Sequence, residues 1–189
     1  MDKPYHHGNL KVAIVAAARS RLRGAIGAAL SLRELARETG VSPNAPYRHF
    51  PGKGGVTAAV VADGYRELTQ ISERAIGSPH PSAALVAGYA KFAASESALL
   101  RLVNAEDLAE HGPESEVVLA RDEWFAGLLG VVEVEAGKLP PDEAYKRAAG
   151  IWAALIGITQ LRTHGARGLL PEELFPDASK LVGTIARGR

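Results

Sequence analysis

"SLRELARETGVSPNAPYRHF", residues 31–50, decides how this chain is read. In its first half Leu32, Leu35 and Ala36 recur at helical spacing, Ser31 stands at the N-cap position, and Glu34 follows three residues later, which is the capping-box pattern. Gly40 stops this helix where a left-handed residue is needed. Ser42 then reads as the N-cap of a short third helix, with Pro43 at its first position, where a missing N–H costs nothing. Helix, glycine-containing turn and helix make the helix-turn-helix pattern. Pro46 removes a further donor from the first turn, which predicts local tightening there.

The second helix of such a pair presents its N-terminal residues to base edges in the major groove. Arg48 can donate a bidentate pair to guanine, Asn44 can pair with adenine, and the Ala45 methyl can meet a thymine methyl. Tyr47, His49 and Lys53 suit phosphate oxygens, and Arg33 can reach backbone or base. For Tyr47 and His49 the competing reading is packing against neighbouring helices. Charge supports a DNA-facing end. Residues 1–53 hold nine Lys/Arg against three acids, a net of +6, while the remainder carries a net of −5, so the formal total of +1 conceals a basic third on an acidic body.

The 189 residues contain no cysteine, which excludes disulfides, thiolate metal sites and cysteine nucleophiles and suits a reducing cytosol. No secretory signal is read at the N-terminus, and the apolar run "IWAALIGI" at 151–158 is far below the roughly 20 residues of a membrane helix. The expectation is a cytoplasmic protein with no membrane partner. Alanine and leucine dominate and no segment alternates at period two, so the fold class is all-α. Helices are predicted over about 9–23, with Val12, Val15, Ala18 and Leu22 as its stripe, and over 53–76, 82–95, 97–111, 114–137, 141–164 and 171–187. Breaks fall at "GAIGA", "GSPHPS", "HGPES", "GKLPPDE" and "GARGLLPEE".

With these elements in place, "YHHGNLKVAIVAAA" followed by "LSLRELARETGVSPNAPYRHFPGKGGVTAAVVADGYREL" resembles the DNA-binding domain of the tetracycline-repressor (TetR) family of transcriptional regulators, over residues 5–68. The resemblance implies an all-helical homodimer: a three-helix DNA-binding head is joined by a fourth helix to a C-terminal bundle that binds a small molecule and dimerises. Carried onto matching positions, it implies recognition contacts by Pro43, Asn44, Ala45, Tyr47, Arg48 and His49, a contact from Arg33, and a phosphate lysine at Lys53. With the capping Ser42, these form the expected DNA-binding set. "IWAALIGITQL" is similar to the W-x-x-x-H-G helix of one subgroup, with Trp152 and Gly157 kept and Ile156 at the histidine position. The chain departs from the family at Arg19 and Arg21, usually apolar, and at "GKGGV", usually "DKEAL".

The implied organisation is a helix-turn-helix domain over 1–53, a connecting helix over about 53–76, and an effector-binding and dimerisation domain over 77–189. Phe92, Leu102, Trp124, Phe125 and Trp152 are candidates for lining an effector cavity, with plain core as the competing reading, and Ala153, Ala154 and Gly157 offer a small surface for a second copy. His6 and His7 read as a solvated or phosphate-touching arm rather than a metal site, and Glu106, Asp107, Glu110 and His111 as a solvated face. "GKGG" lacks the spacing of a phosphate loop. No metal, cofactor or catalytic constellation is expected. The function expected is a ligand-responsive repressor acting on an inverted-repeat operator in double-stranded DNA, bound by a homodimer. The competing class is a helical enzyme or small-molecule carrier with a vestigial head, which acid-base residues clustered in a bundle cavity would favour.

Overall fold

The computed structural model describes residues 7–24, 30–105, 111–163 and 178–188. Among them the helices are α1 (His7–Gly24), α2 (Leu32–Glu38), α3 (Gly52–Ile76), α4 (Pro81–Ser95), α5 (Ser97–Ala105), α6 (Glu116–Ala136), α7 (Pro141–Thr163) and α8 (Ala178–Arg187), with a 3₁₀ turn at Pro46–Arg48 and no strand. None is long and apolar enough to cross a membrane. The predicted helices other than the short third one are therefore present. Residues 106–110, 164 and 171–177 of three of them lie outside the described residues.

Two compact units emerge, one comprising residues up to Gly64 with Glu96–Ala120, the other Tyr65–Ser95 with the residues from Arg121 onward. In the first, α1 packs against α2 and α5. Its buried stripe is Leu10, Ile14, Ala18 and Leu22, at strict four-residue steps. The sequence reading had Val12 and Val15 in this stripe. Val12 is 65% exposed and Val15 only half-buried, because a stripe running through Ala18 and Leu22 extends back through Ile14 and Leu10, two positions out of phase with Val12. Leu32, Leu35 and Ala36 of α2 are buried as expected. Phe50, Val56 and Val60 complete this core, and a Cβ at Gly64 would lie 2.9 Å from Val103, so α3 and α5 meet at a backbone-close crossing.

The second unit is built on aromatic rings. Tyr65 stands edge-on to Trp152 at 6.4 Å, Trp152 meets Phe125 at 6.2 Å, and Phe125 meets Tyr145 at 5.2 Å. Tyr89 stacks on Trp124 at 6.4 Å, both fully buried. Helix α8 lies against α4 and α7. Glu135 of α6 accepts hydrogen bonds from the Ser82 N–H (3.1 Å) and hydroxyl (2.7 Å), so the first turn of α4 is capped from a different helix, and Arg187 closes on the same carboxylate at 2.6 Å. Burial alone would raise the Glu135 pKa; the Ser82 and Arg187 hydrogen bonds outweigh it and hold it below the ordinary value.

Candidate nucleic-acid interface

Gly40 closes α2 at φ +71°, as the sequence requires, and the chain turns into the segment 41–50. Two local expectations fail here. The capping box does not form: Ser31 holds the N-cap position and its carbonyl accepts from Leu35 N–H at 2.9 Å, but its side chain makes no cap bond. Glu34 is drawn away instead by Arg21 of α1. Nor does an α-helix begin at Pro43. Ser42–Ala45 is a hydrogen-bonded turn, Ala45 N–H to Ser42 C=O at 3.0 Å, and only Pro46–Arg48 is helical, as a single 3₁₀ turn. Pro46 explains this, since a residue with no N–H cannot give the bond back to Ser42 that would propagate an α-helix through the segment.

The side chains of this segment divide by exposure. Ser42, Pro43, Asn44, Tyr47 and Arg48 are exposed, as are Arg33 on α2 and Lys53 at the start of α3. Ala45 and His49 are half-buried, and Pro46 and Phe50 are the buried anchors. His49 faces inward enough to line, with Phe50, Pro51 and His111, a small cavity of about 180 Å³ within the first unit. Gly55 has its own reason: a Cβ there would lie 2.5 Å from the Pro51 ring, whereas nothing stands within 4 Å at Gly54.

Electrostatics separate the cations of this unit into two groups. Those of α1 all hold acids. Lys11 pairs with Glu116. Arg19 reaches Asp63 at 2.7 Å and Glu96 at 2.8 Å, and Arg23 binds Glu96 through Nε at 2.8 Å and through Nη2. Arg21 holds Glu34 and also Glu38 at 2.9 Å. Arg19 and Arg21, the departures from the family pattern, are thus the centres of ion-pair clusters. The Glu96 carboxylate, buried at the junction of α4 and α5, would be raised by burial, yet the Arg23 and Arg19 hydrogen bonds prevail and its pKa lies below the ordinary value. Glu34 is lowered chiefly by its hydrogen bond from Arg21, with a lesser attraction from Arg37. Arg33, Arg37, Arg48 and Lys53, by contrast, have no side-chain hydrogen bond or ion pair among the described residues. Arg37 was absent from the sequence-derived set, although its four-residue spacing from Arg33 was readable.

The other candidates fall as follows. Phe92 and Trp124 are buried core residues, and Phe125 and Trp152 are half-buried in the aromatic ladder. Leu102 lies on α5, in the first unit, and is half-buried. The Trp124 indole N–H is buried with no acceptor among the described residues. Ala153 is exposed, Ala154 and Gly157 are half-buried, and no atom lies within 4 Å of a Cβ built at Gly157. His6, the His7 side chain, Glu106, Asp107 and Glu110 lie outside the described residues, among which no group of three or more His, Asp or Glu is placed to hold a metal.

With this geometry in hand, comparison with known proteins is informative. A family profile described as "Bacterial regulatory proteins, tetR family" matches residues 14–60, and one described as "Tetracyclin repressor-like, C-terminal domain" matches residues 82–180. The chain is similar to a protein of unknown function from Rhodococcus sp. RHA1, with 34% identity and a TM-score of 0.75 over 99% of this chain and 98% of that one. It shares its fold with SCO4313, described as a candidate regulatory protein, at 20% identity and a TM-score of 0.73 over 97% of this chain and all (100%) of that one. The fold also matches a candidate TetR-family transcriptional regulator from Mesorhizobium loti MAFF303099, at 17% identity and a TM-score of 0.59 over 97% and 96% of the two chains. No curated protein matches the sequence.

Proposed function

Since the chain belongs to the tetracycline-repressor family and is a DNA-binding transcriptional regulator, we propose that it is a ligand-responsive repressor whose homodimer reads an inverted-repeat operator in the cytoplasm. The observation that carries this reading is the exposed, unpaired set Asn44, Tyr47, Arg48, Arg33 and Lys53 beside the glycine turn. Arg48 reads guanine, Asn44 reads adenine, and Ala45 meets a thymine methyl. Ser42, Tyr47 and Lys53 hold the phosphate backbone, with Pro43 in apolar contact at the head of the segment and His49 joining from its edge. The DNA-binding domain is residues 1–53, continued by α3, and residues 77–189 bind effector and dimerise. Both matched family domains are those of a regulator, not an enzyme.

In the second unit the half-buried Phe125 and Trp152 give an effector an aromatic wall, and the buried Trp124 N–H gives it a donor in search of an acceptor. The dimer forms through α7 and α8, where Ala153, Ala154 and Gly157 allow close approach and Leu161 and Leu181 stand 43% and 48% exposed. An effector that prefers the non-binding arrangement of the heads releases DNA by as much as its differential affinity permits. The test is selection of bound sequences from random DNA, followed by titration of spacer variants. Adding roughly half a helical turn, about 5 base pairs, between half-sites rotates one onto the far face and should abolish most of the affinity. Arg48→Ala should cost roughly 1–3 kcal/mol on the selected site alone. Equal affinity for all spacers would refute the paired-head reading.

A further inference from the structure

Among the described residues the positive charge of the N-terminal third is two populations. One, on α1, is neutralised inside the protein by Glu116, Asp63, Glu96, Glu34 and Glu38. The other is Arg33, Arg37, Arg48 and Lys53, none with an acidic hydrogen-bond or ion-pair partner among the described residues. A net charge counted along the sequence cannot distinguish them, and only the second is available to a polyanion.

Helix α2 separates the two. Its sequence "LRELARE" sets Glu34 and Glu38 on one ridge and Arg33 and Arg37 on another, about 100° around the axis. Each ridge repels itself, because like charges four residues apart are neighbours on a helix surface. Arg21 relieves the acidic ridge by binding both glutamates, which fixes that ridge toward α1. The basic ridge is engaged only by the weak attraction of Arg37 to Glu34; neither arginine makes a side-chain hydrogen bond or ion pair among the described residues, and both are exposed.

We infer that the Arg33–Arg37 ridge is a clamp for the phosphate backbone of double-stranded DNA, with Arg37 a backbone contact beyond the set expected from the family. The inference rests on the DNA-reading role proposed above for the same head. Two guanidinium groups one turn apart, about 6 Å along the helix, span close to two steps of a strand that carries a charge about every 3.4 Å along the duplex axis, and planar donor forks suit phosphate oxygens. Such a contact positions the head without reading sequence.

The experiment measures binding of the full-length protein to a fluorescent random-sequence duplex, and to a duplex selected from random DNA, at several salt concentrations. Arg37→Gln should lower the slope of log K against log salt by about 0.9 per bound head on both duplexes, leaving base preference unchanged. Arg37→Lys should restore the slope. Lys91→Gln removes the same charge from an exposed site on α4 and should leave the slope unaltered; an equal fall there would make the effect one of net charge and overturn the clamp. Circular dichroism of each variant guards against misfolding. If Lys53→Ala lowers the slope and Arg37→Gln does not, the clamp is wrong and the DNA-reading role stands. If neither changes it, both fall.

Discussion

The two compact units solve the same problem with different chemistry. The first ties its helices with charge: Arg19 bridges α1 to Asp63 of α3 and to Glu96 before α5, and Arg21 bridges α1 to α2. The second ties its helices with rings, from Tyr65 through Trp152 and Phe125 to Tyr145, with Tyr89 on Trp124 beside them. Both units bury an aliphatic core. In the first, Phe50 is the buried ring among the described residues and ion pairs add direction to the packing; in the second, ring-on-ring contacts do so. Ion pairs are directional and sensitive to salt and pH, whereas ring burial is neither.

This contrast can be tested by breaking each side. The largest effect expected is from Trp124→Ala, which removes a fully buried ring and should destabilise the second unit by roughly 3–5 kcal/mol with little dependence on salt, measured by urea denaturation at two ionic strengths. Next is Glu96→Ala. It removes the carboxylate that Arg19 and Arg23 share, leaving Asp63 to Arg19, and should cost roughly 2 kcal/mol. Because Trp124 and Trp152 both lie in the second unit, the loss should displace the circular-dichroism transition more than the tryptophan-fluorescence transition. Coincident shifts would mean that the units unfold as one.

Acid offers a gentler probe of the same cluster. The folded pKa of Glu96 is depressed, so its contribution is complete above the unfolded value near 4.5 and is lost as pH falls through the lower folded value. Glu96→Gln should therefore flatten the fall in stability of the first unit below about pH 4.5. Glu135 has the same sign in the second unit, so the acid response there should persist in this variant. The smallest effect is expected for Arg21→Ala, whose partners Glu34 and Glu38 are well exposed; its cost should shrink towards zero in molar salt.

What was legible follows from which forces are local. The helices, the glycine stop at Gly40 and the buried face of α2 could be read because period and backbone conformation are written in neighbouring residues. The exposure of Asn44, Tyr47 and Arg48 could be read for the same reason. The Ser31–Glu34 capping box failed because a distant Arg21 competed for the glutamate, and the Val12 stripe failed because Leu10 and Ile14 gave an equally regular phase with better partners. Glu96 was invisible as the acceptor of two α1 arginines more than seventy residues away, since sequence distance carries no trace of an ion pair. The α2 division into acidic and basic ridges was visible as letters, yet its meaning depended on knowing which ridge α1 had taken.

Pro43, Pro46 and Pro51 give the reading segment a property of its unfolded as much as its folded state. Each proline restricts φ to about −65° before any tertiary contact forms, so the chain has fewer conformations to give up. A recognition element shaped in advance loses less freedom in the groove than one that folds there. Association with DNA should then carry the heat-capacity change of surface burial without the larger component that accompanies coupled folding. Rigidity also sharpens choice: with Asn44 and Arg48 reading bases as proposed, a mismatched base pair would meet them on a template that cannot re-form around it, and the penalty would remain in full.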